Sequence, residues 1–402
     1  MPLMRLSTRR LPIVLALLIL LSGCANRVII APEIQGLERI KAVQVLVLRS
    51  KDDASTALWL NRIRRMGFNT VILRAFQLDG DRYHAAAAGQ PGIKREGVYF
   101  PTRHAPVVKD LMTSFVRLCH KEGLNAYAWM VTRKGAFGNP DLPGDVVYSP
   151  DENTFHTLTD LDIFDPRVRA YLKNLYVDLA STGVDGILLQ DDLASRIGEG
   201  FTKGNLARYM QQTGDQVPPY SHLFSKHGDD GKTYIKASSA FDGWVQWKTE
   251  GITSLARELE DTVRKFNPGI RMIMNLTYEA VTSPKNGRLW LSQDLRSALA
   301  RGPSYAGIML YHRQMQDELG LTLTQVLELL DKSLQDLSQR LEQKTRVILK
   351  FQSRDWKTGE QVPVDDLVSG LLLAWGQGWS VAIVPPPSDE QATGLYRVLK
   401  DM

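Results

Sequence analysis

Val184-Asp-Gly-Ile-Leu-Leu-Gln-Asp-Asp192 is the stretch on which the reading of the fold turns. Gly186–Leu189 is short and continuously apolar, as expected of a parallel strand buried on both faces. Two adjacent acids, Asp191 and Asp192, leave its C-terminal end. In a (β/α)8 barrel the C-terminal strand ends form the mouth where chemistry is done, so acids there point to catalysis. Neighbouring carboxylates repel, which raises one pKa toward the range of a general acid. The plainer alternative is that one Asp caps the following turn and the other is solvated.

Seven further apolar runs fit the same role: Ala42–Leu48, Thr70–Ala75, Ala126–Val131, Met272–Leu276, Gly307–Tyr311, Val347–Phe351 and Val381–Val384. Helical patterns lie between them. Ala54–Met66 stops at Gly67, and Ala105–Glu122 stops at Gly123, where glycine suits the position after a helix. Asp165-Pro166 opens a helix reaching Ser181, with Asp as N-cap and Pro in the first turn. Phe241–Phe266, Leu289–Ala300, Leu323–Glu342, Val364–Trp375 and Asp389–Lys400 complete the series. Eight strands alternating with eight helices predict a TIM barrel over residues 41–402. A doubly wound open sheet is the alternative that periodicity leaves open. Residues 195–240 interrupt the alternation with Pro218-Pro219 and Gly228-Asp-Asp-Gly231. They are expected to fold over the mouth, and to be the most protease-sensitive region if they form a mobile lid.

The N-terminus sets the compartment. Arg5, Arg9 and Arg10 precede the apolar Leu11–Leu21, which is short for a membrane span. Leu21-Ser-Gly-Cys24 resembles a bacterial lipobox. It implies a signal peptide over 1–23, acylation of Cys24 and a lipid-anchored tether over 24–40. An ordinary signal peptide with a chance Cys is the alternative. Ala25 in place of Asp favours the outer membrane, facing the periplasm. Loss of residues 1–23 removes three Arg, leaving 46 basic residues against 44 acids. The basic character thus owes much to the targeting segment and gives no reason to expect nucleic acid. With Cys24 acylated, Cys119 is the one remaining thiol, on an amphipathic helix where a small buried hydrophobe is expected.

Several stretches in order carry a family resemblance. They are Val71-Ile-Leu-Arg-Ala-Phe76, Gly97-Val-Tyr-Phe-Pro-Thr-Arg-His-Ala-Pro106, Asn125-Ala-Tyr-Ala-Trp-Met130, Phe164-Asp-Pro-Arg-Val-Arg169, the Asp191/Asp192 segment and Ser353-Arg-Asp-Trp356. Together they resemble the C-terminal glycoside-hydrolase domain of PgaB-type proteins, which process the biofilm exopolysaccharide poly-β-1,6-N-acetylglucosamine. The resemblance covers roughly residues 42–387, without that family's deacetylase domain. It implies a TIM barrel hydrolysing partly deacetylated, glucosamine-containing polysaccharide, with the catalytic acid in the Asp pair. It also implies the exopolysaccharide export machinery as a partner. Two positions depart from the family. Gln190 stands where it has His, and Tyr311-His-Arg-Gln-Met-Gln-Asp317 lacks its Glu after strand six.

Glycoside hydrolysis generally needs a protonated acid and a second carboxylate. Side chains adjacent on a strand point to opposite faces, so Asp191 and Asp192 do not readily serve as both. Asp192, one residue farther along, is the favoured proton donor. Glu279, Asp317 and Asp79 are candidates for the second carboxylate. Trp129, Tyr278, Tyr311 and Trp356 are candidates to stack on sugars, with core packing as the alternative. Arg74, Arg103 and His104 are polar candidates near the mouth. No His/Cys/Asp spacing suggests a metal and no phosphate loop is present, so no cofactor is expected. Two classes remain: a lipid-anchored glycoside hydrolase, and a non-catalytic carbohydrate-binding lipoprotein of the same fold.

Overall fold

The computed structural model describes residues 33–149, 152–229 and 232–402. The signal segment, Cys24 and the first part of the tether lie outside the described residues. Eight strands close a barrel in which every pair is parallel. They are β1 (Lys41–Val45), β2 (Thr70–Arg74), β3 (Asn125–Met130), β4 (Gly186–Leu189), β5 (Arg271–Thr277), β6 (Tyr305–Met309), β7 (Val347–Gln352) and β8 (Ser380–Val384). Each neighbours its successor, and β8 pairs with β1. All eight strands are those expected from their apolar runs, with ends displaced by at most three residues. The fold is a TIM barrel.

The interior is packed. Each strand contributes one inward side chain to a single buried cluster: Ala42, Ile72, Tyr127, Leu188, Ile273, Tyr305, Ile348 and Ala382. Tyr127 explains the glycine that opens β4. A Cβ at Gly186 would lie 2.3 Å from the Tyr127 ring. Asp185, just before it, fastens the opposite end of the strand to β3. Its Oδ2 accepts from the Ala126 amide at 2.7 Å and lies 2.9 Å from His120 Nε2. The first Asp of the decisive stretch is therefore structural, and only the last two stand at the mouth end of the strand.

A larger apolar cluster fills the space between strands and helices. The helices begin where their caps demand. Asp165 caps Pro166–Ala180, and Ser388–Gln391 forms a capping box on Asp389–Asp401. Cys119 is fully buried, and burial raises its thiol pKa. Two helix expectations are corrected. The helix expected from Ala105 starts at Met112, because the Leu111 and Met112 amides are held by the Tyr99 carbonyl. Leu289–Ala300 is not one helix. Pro284–Leu291 and Leu295–Arg301 are separated at Ser292, which has φ 54°.

Residues 195–240 form structure of their own. The helix Lys203–Thr213 and the antiparallel strands Phe224–Asp229 and Lys232–Ala237 follow β4. A second hairpin, Gly144–Ser149 with Thr154–Leu161, follows β3 and was not expected. The two additions share an apolar cluster built on Tyr148, Phe201, Tyr209, Phe241 and Trp244, in which Phe201 and Trp244 stack.

Candidate active site

Strand alternation sets the floor of the mouth. Two residues beyond the apolar layer, the inward positions are Gln44, Arg74, Trp129, Gln190, Asn275, Gly307, Lys350 and Val384. The layer turns polar where the one beneath is apolar. Lys350 Nζ donates to Asn275 Oδ1 at 3.0 Å. Gly307 lies beside this pair, and a Cβ there would press on Ile273 Cγ2 at 3.1 Å. Burial lowers the Lys350 pKa to about 7, opposed by the negative charge of Asp191. Gln44 Oε1, Arg74 Nε, Trp129 Nε1 and Gln190 Oε1 are buried in this layer without a hydrogen-bond partner in the protein.

The two acids divide sharply. Asp191 is exposed at the rim, and among the described residues its carboxylate accepts no hydrogen bond. Its charge acts across the mouth on Lys350 and on the Tyr311 phenol. Asp192 turns away, toward the loop after β3. It accepts from the Thr132 hydroxyl at 2.8 Å, the Thr132 amide at 3.0 Å and the Lys134 amide at 2.8 Å. Burial raises its pKa to about 6, against the lowering by these donors. The expectation that Asp192 reaches farther into the mouth is thereby corrected. The hydrogen bonds that hold its carboxylate come from the β3 loop.

The candidates for a second carboxylate also separate. Asp79 pairs with Arg95 at 2.9 Å and Asp317 with Lys357 at 3.2 Å, both in solvent-exposed ion pairs. Glu279 follows β5, the barrel neighbour of β4. It lines two adjoining cavities of about 440 and 200 Å³, the smaller also lined by Thr277 and Met309 from the strand ends. Its Oε2 is buried without a hydrogen-bond partner. Glu318 lines the smaller cavity and accepts from the Tyr278 hydroxyl at 2.9 Å. Burial, then the two glutamates, raise the Tyr278 pKa.

Tyr311 lies within electrostatic reach of Asp191, and Trp356 packs edge-on against Tyr311 with ring centroids 5.5 Å apart. Trp129 is braced by Phe76 at 5.4 Å. Tyr278 lies with Glu279 in the adjoining groove. Arg74 is at the rim, but its guanidinium is committed to Asp81 at 3.0 Å, Gln77 at 3.3 Å and the Arg82 carbonyl. It organises the β2 loop. Arg103 and His104 are not near the mouth. His104 lies beside Thr102 and Asp178, the latter in the last turn of Pro166–Ala180, which leads to the base of β4. Arg103 is exposed beside it.

Sequence reasoning missed Lys350, Asn275 and the buried polar group around Arg133. The first two had a signal: each is the lone polar residue inside an apolar strand, Val347-Ile-Leu-Lys350-Phe and Met272-Ile-Met-Asn275-Leu. Arg133 had none, because its partners Asp145 and Glu199 come from two separate insertions. Among the described residues no group of three His, Cys, Asp or Glu side chains is arranged to hold a metal ion.

A TIM barrel with acids and aromatic side chains at its mouth has the fold and the chemistry that glycoside hydrolysis uses. A family model described as hypothetical glycosyl hydrolase family 13 matches residues 50–378, so the chain belongs to that family. No curated protein matches its sequence. Its structure is similar to the PgaB (BpsB) glycoside hydrolase domain from Bordetella bronchiseptica, with 20% identity and a TM-score of 0.69 over 90% of this chain and 99% of that one. It is also similar to the β-galactosidase of the psychrophilic Marinomonas ef1, with 10% identity and a TM-score of 0.57 over 90% of this chain. A β-galactosidase from Halorubrum lacusprofundi aligns with 9% identity and a TM-score of 0.55 over 89% of this chain. This chain spans 59% and 58% of those two enzymes. At these identities the likeness is one of fold.

Proposed function

We propose that this chain is a lipid-anchored envelope hydrolase that cleaves a glucosamine-containing polysaccharide, with Asp191 as the catalytic acid and Glu279 as its partner carboxylate. The observation that carries the reading is the division of labour in the Asp pair. Asp191 alone is free at the rim, while Asp192 is tied by three donors. The polar layer beneath supports a hydroxyl-rich ligand, since buried polar atoms without partners are uncommon in packed interiors. Tyr311, Trp356 and Trp129 offer apolar ring faces beside them. The partly deacetylated β-1,6-N-acetylglucosamine polymer is the proposed substrate, on the motif resemblance and on the similarity to the PgaB domain.

Defined β-1,6-glucosamine oligomers of known acetylation, incubated with the mature protein, test this by mass spectrometry of products. Cleavage that disappears in Asp191→Asn supports the assignment. Binding of oligomers without cleavage would establish the carbohydrate-binding reading instead. That reading draws on Tyr311–Asp317, where no Glu follows β6.

A further inference from the structure

Outside the mouth, the described residues hold a buried charged group that no step of the proposed chemistry uses. Arg133 is its centre. The guanidinium pairs with Asp145 of the unexpected hairpin at 3.0 Å and with Glu199 of the 195–240 insertion at 2.6 Å. It also donates to the Ala194 carbonyl at 2.6 Å. Its own carbonyl accepts from the Leu161 amide at 2.8 Å, at the far end of that hairpin. Lys248, wholly buried on the helix Asp242–Arg264, donates to the Glu199 carbonyl at 3.0 Å and to the Arg196 carbonyl. Arg133, Asp145 and Glu199 are all nearly inaccessible to solvent.

The position of Arg133 in the chain is what matters. It lies between Thr132 and Lys134, whose amides are the donors to Asp192. Ala194, which its guanidinium holds, follows the Asp pair by two residues. Two crossing links thus join the β3 loop to the β4 loop. Asp192 reaches from β4 to the β3 loop, and Arg133 reaches from the β3 loop back to β4. Both links fasten the chain just after Asp191, and the Gln190 amide, donating to the Met130 carbonyl of β3 at 2.8 Å, fastens it just before.

We infer that Arg133 is a positioning residue for Asp191, holding the β3 and β4 loops in one register through Asp145, Glu199 and the Ala194 carbonyl. It touches no reacting atom. Displacing a catalytic group by about 1 Å typically costs on the order of 10²-fold in rate, and two ion pairs that fix both loops prevent such a displacement. The inference rests on the assignment of Asp191 above for its effect on turnover. The clamp itself does not.

The test uses the mature protein with Arg133→Met, Arg133→Lys and Glu199→Gln. Two readouts are taken: kcat and KM on the glucosamine oligomers, and hydrogen exchange of the Thr132 and Lys134 amides. Arg133→Met should lower kcat by about 10–100-fold at a nearly unchanged KM. It should also accelerate exchange of both amides beyond any global loss of stability. Arg133→Lys, which keeps the charge and one reachable acceptor, should recover part of both. Should Arg133→Met fail to fold, Glu199→Gln carries the test, with a smaller change in the same direction. Unchanged amide protection and unchanged kcat in folded variants would overturn the inference while leaving the hydrolase reading intact. Oligomers that no form cleaves would sink the hydrolase reading, and the exchange data would still decide the clamp.

Discussion

At the scale of single residues, the Asp pair shows how environment separates identical side chains. Asp191, free at the rim, is the group whose loss should end catalysis. Asp191→Asn should lower turnover by about 10²–10⁴-fold, the usual cost of losing a general acid, with oligomer binding retained. A variant of undiminished activity would place the acid elsewhere. Asp192 should announce itself in stability. Burial raises its pKa from 3.8 to about 6, so the folded protein holds this proton more tightly than the unfolded chain. That contribution is complete below pH 3.8 and is lost as pH rises through about 6. Urea midpoints measured across this window should fall more steeply for the wild type than for Asp192→Asn. Asp145, also raised by burial to about 6, titrates in both proteins, so the difference between them isolates Asp192. A flat difference would contradict its buried setting. The sequence announces the pair but not this division, because both acids follow one strand and only the Thr132 loop, about 60 residues away, distinguishes them.

Elements were legible where burial on two faces leaves no choice of residue. β4 and β7 are apolar runs because they meet both the barrel interior and the helix layer. The hairpin Gly144–Ser149/Thr154–Leu161 was illegible for the converse reason. Its second strand is largely exposed, so no apolar run marks it, and the hairpin is fastened by a buried ion pair from Asp145 to Arg133, which no sequence pattern marks. The insertion lacks an apolar run of its own because its apolar partners lie on that hairpin and on Trp244. Its proteolysis should therefore be confined. Cleavage is expected in the exposed turn at residues 214–219, and not within 195–210, which the Arg133 group and the Phe201–Trp244 stack hold down. Early cutting at 195–210 would argue against that anchoring. Within the barrel, Gly186→Ala tests the packing of β4 on Tyr127. The clash at 2.3 Å should cost about 1–3 kcal/mol as overpacking. Adding Tyr127→Leu, which removes the ring, should recover part of that loss, the coupling expected of residues in contact. Independent effects in the double variant would exclude the contact.

For the whole molecule, strand polarity and the chain's entry point set its orientation. All eight strands run toward one mouth, so the N-terminal end of β1 lies at the opposite pole. The segment before β1 is stitched across that pole. The Ile34 N–H donates to Gln343 Oε1 at 3.1 Å, the Ile34 carbonyl accepts from Gln343 Nε2 at 2.8 Å, and the Glu38 carbonyl accepts from the Tyr305 hydroxyl at 3.0 Å. Arg39 holds the Trp379 carbonyl at 2.9 Å and lies 3.2 Å over the Trp375 ring. The part of the expected tether that the structure describes is therefore tied to the base of the barrel from Ile34 onward. If Cys24 is acylated as proposed, the membrane lies behind the barrel and the mouth faces away from it. Replacing Cys24 by Ser should release the protein to the soluble fraction or leave the precursor unprocessed. Unchanged fractionation and mobility would remove the anchor from the proposal. The mouth's orientation gives a second, separate expectation. Vesicle-bound lipoprotein and soluble mature protein should turn over the same oligomers at equal rates, because the bilayer approaches only the base. A marked loss of turnover on the membrane would mean that the mouth is turned toward the lipid, against the polarity of the barrel.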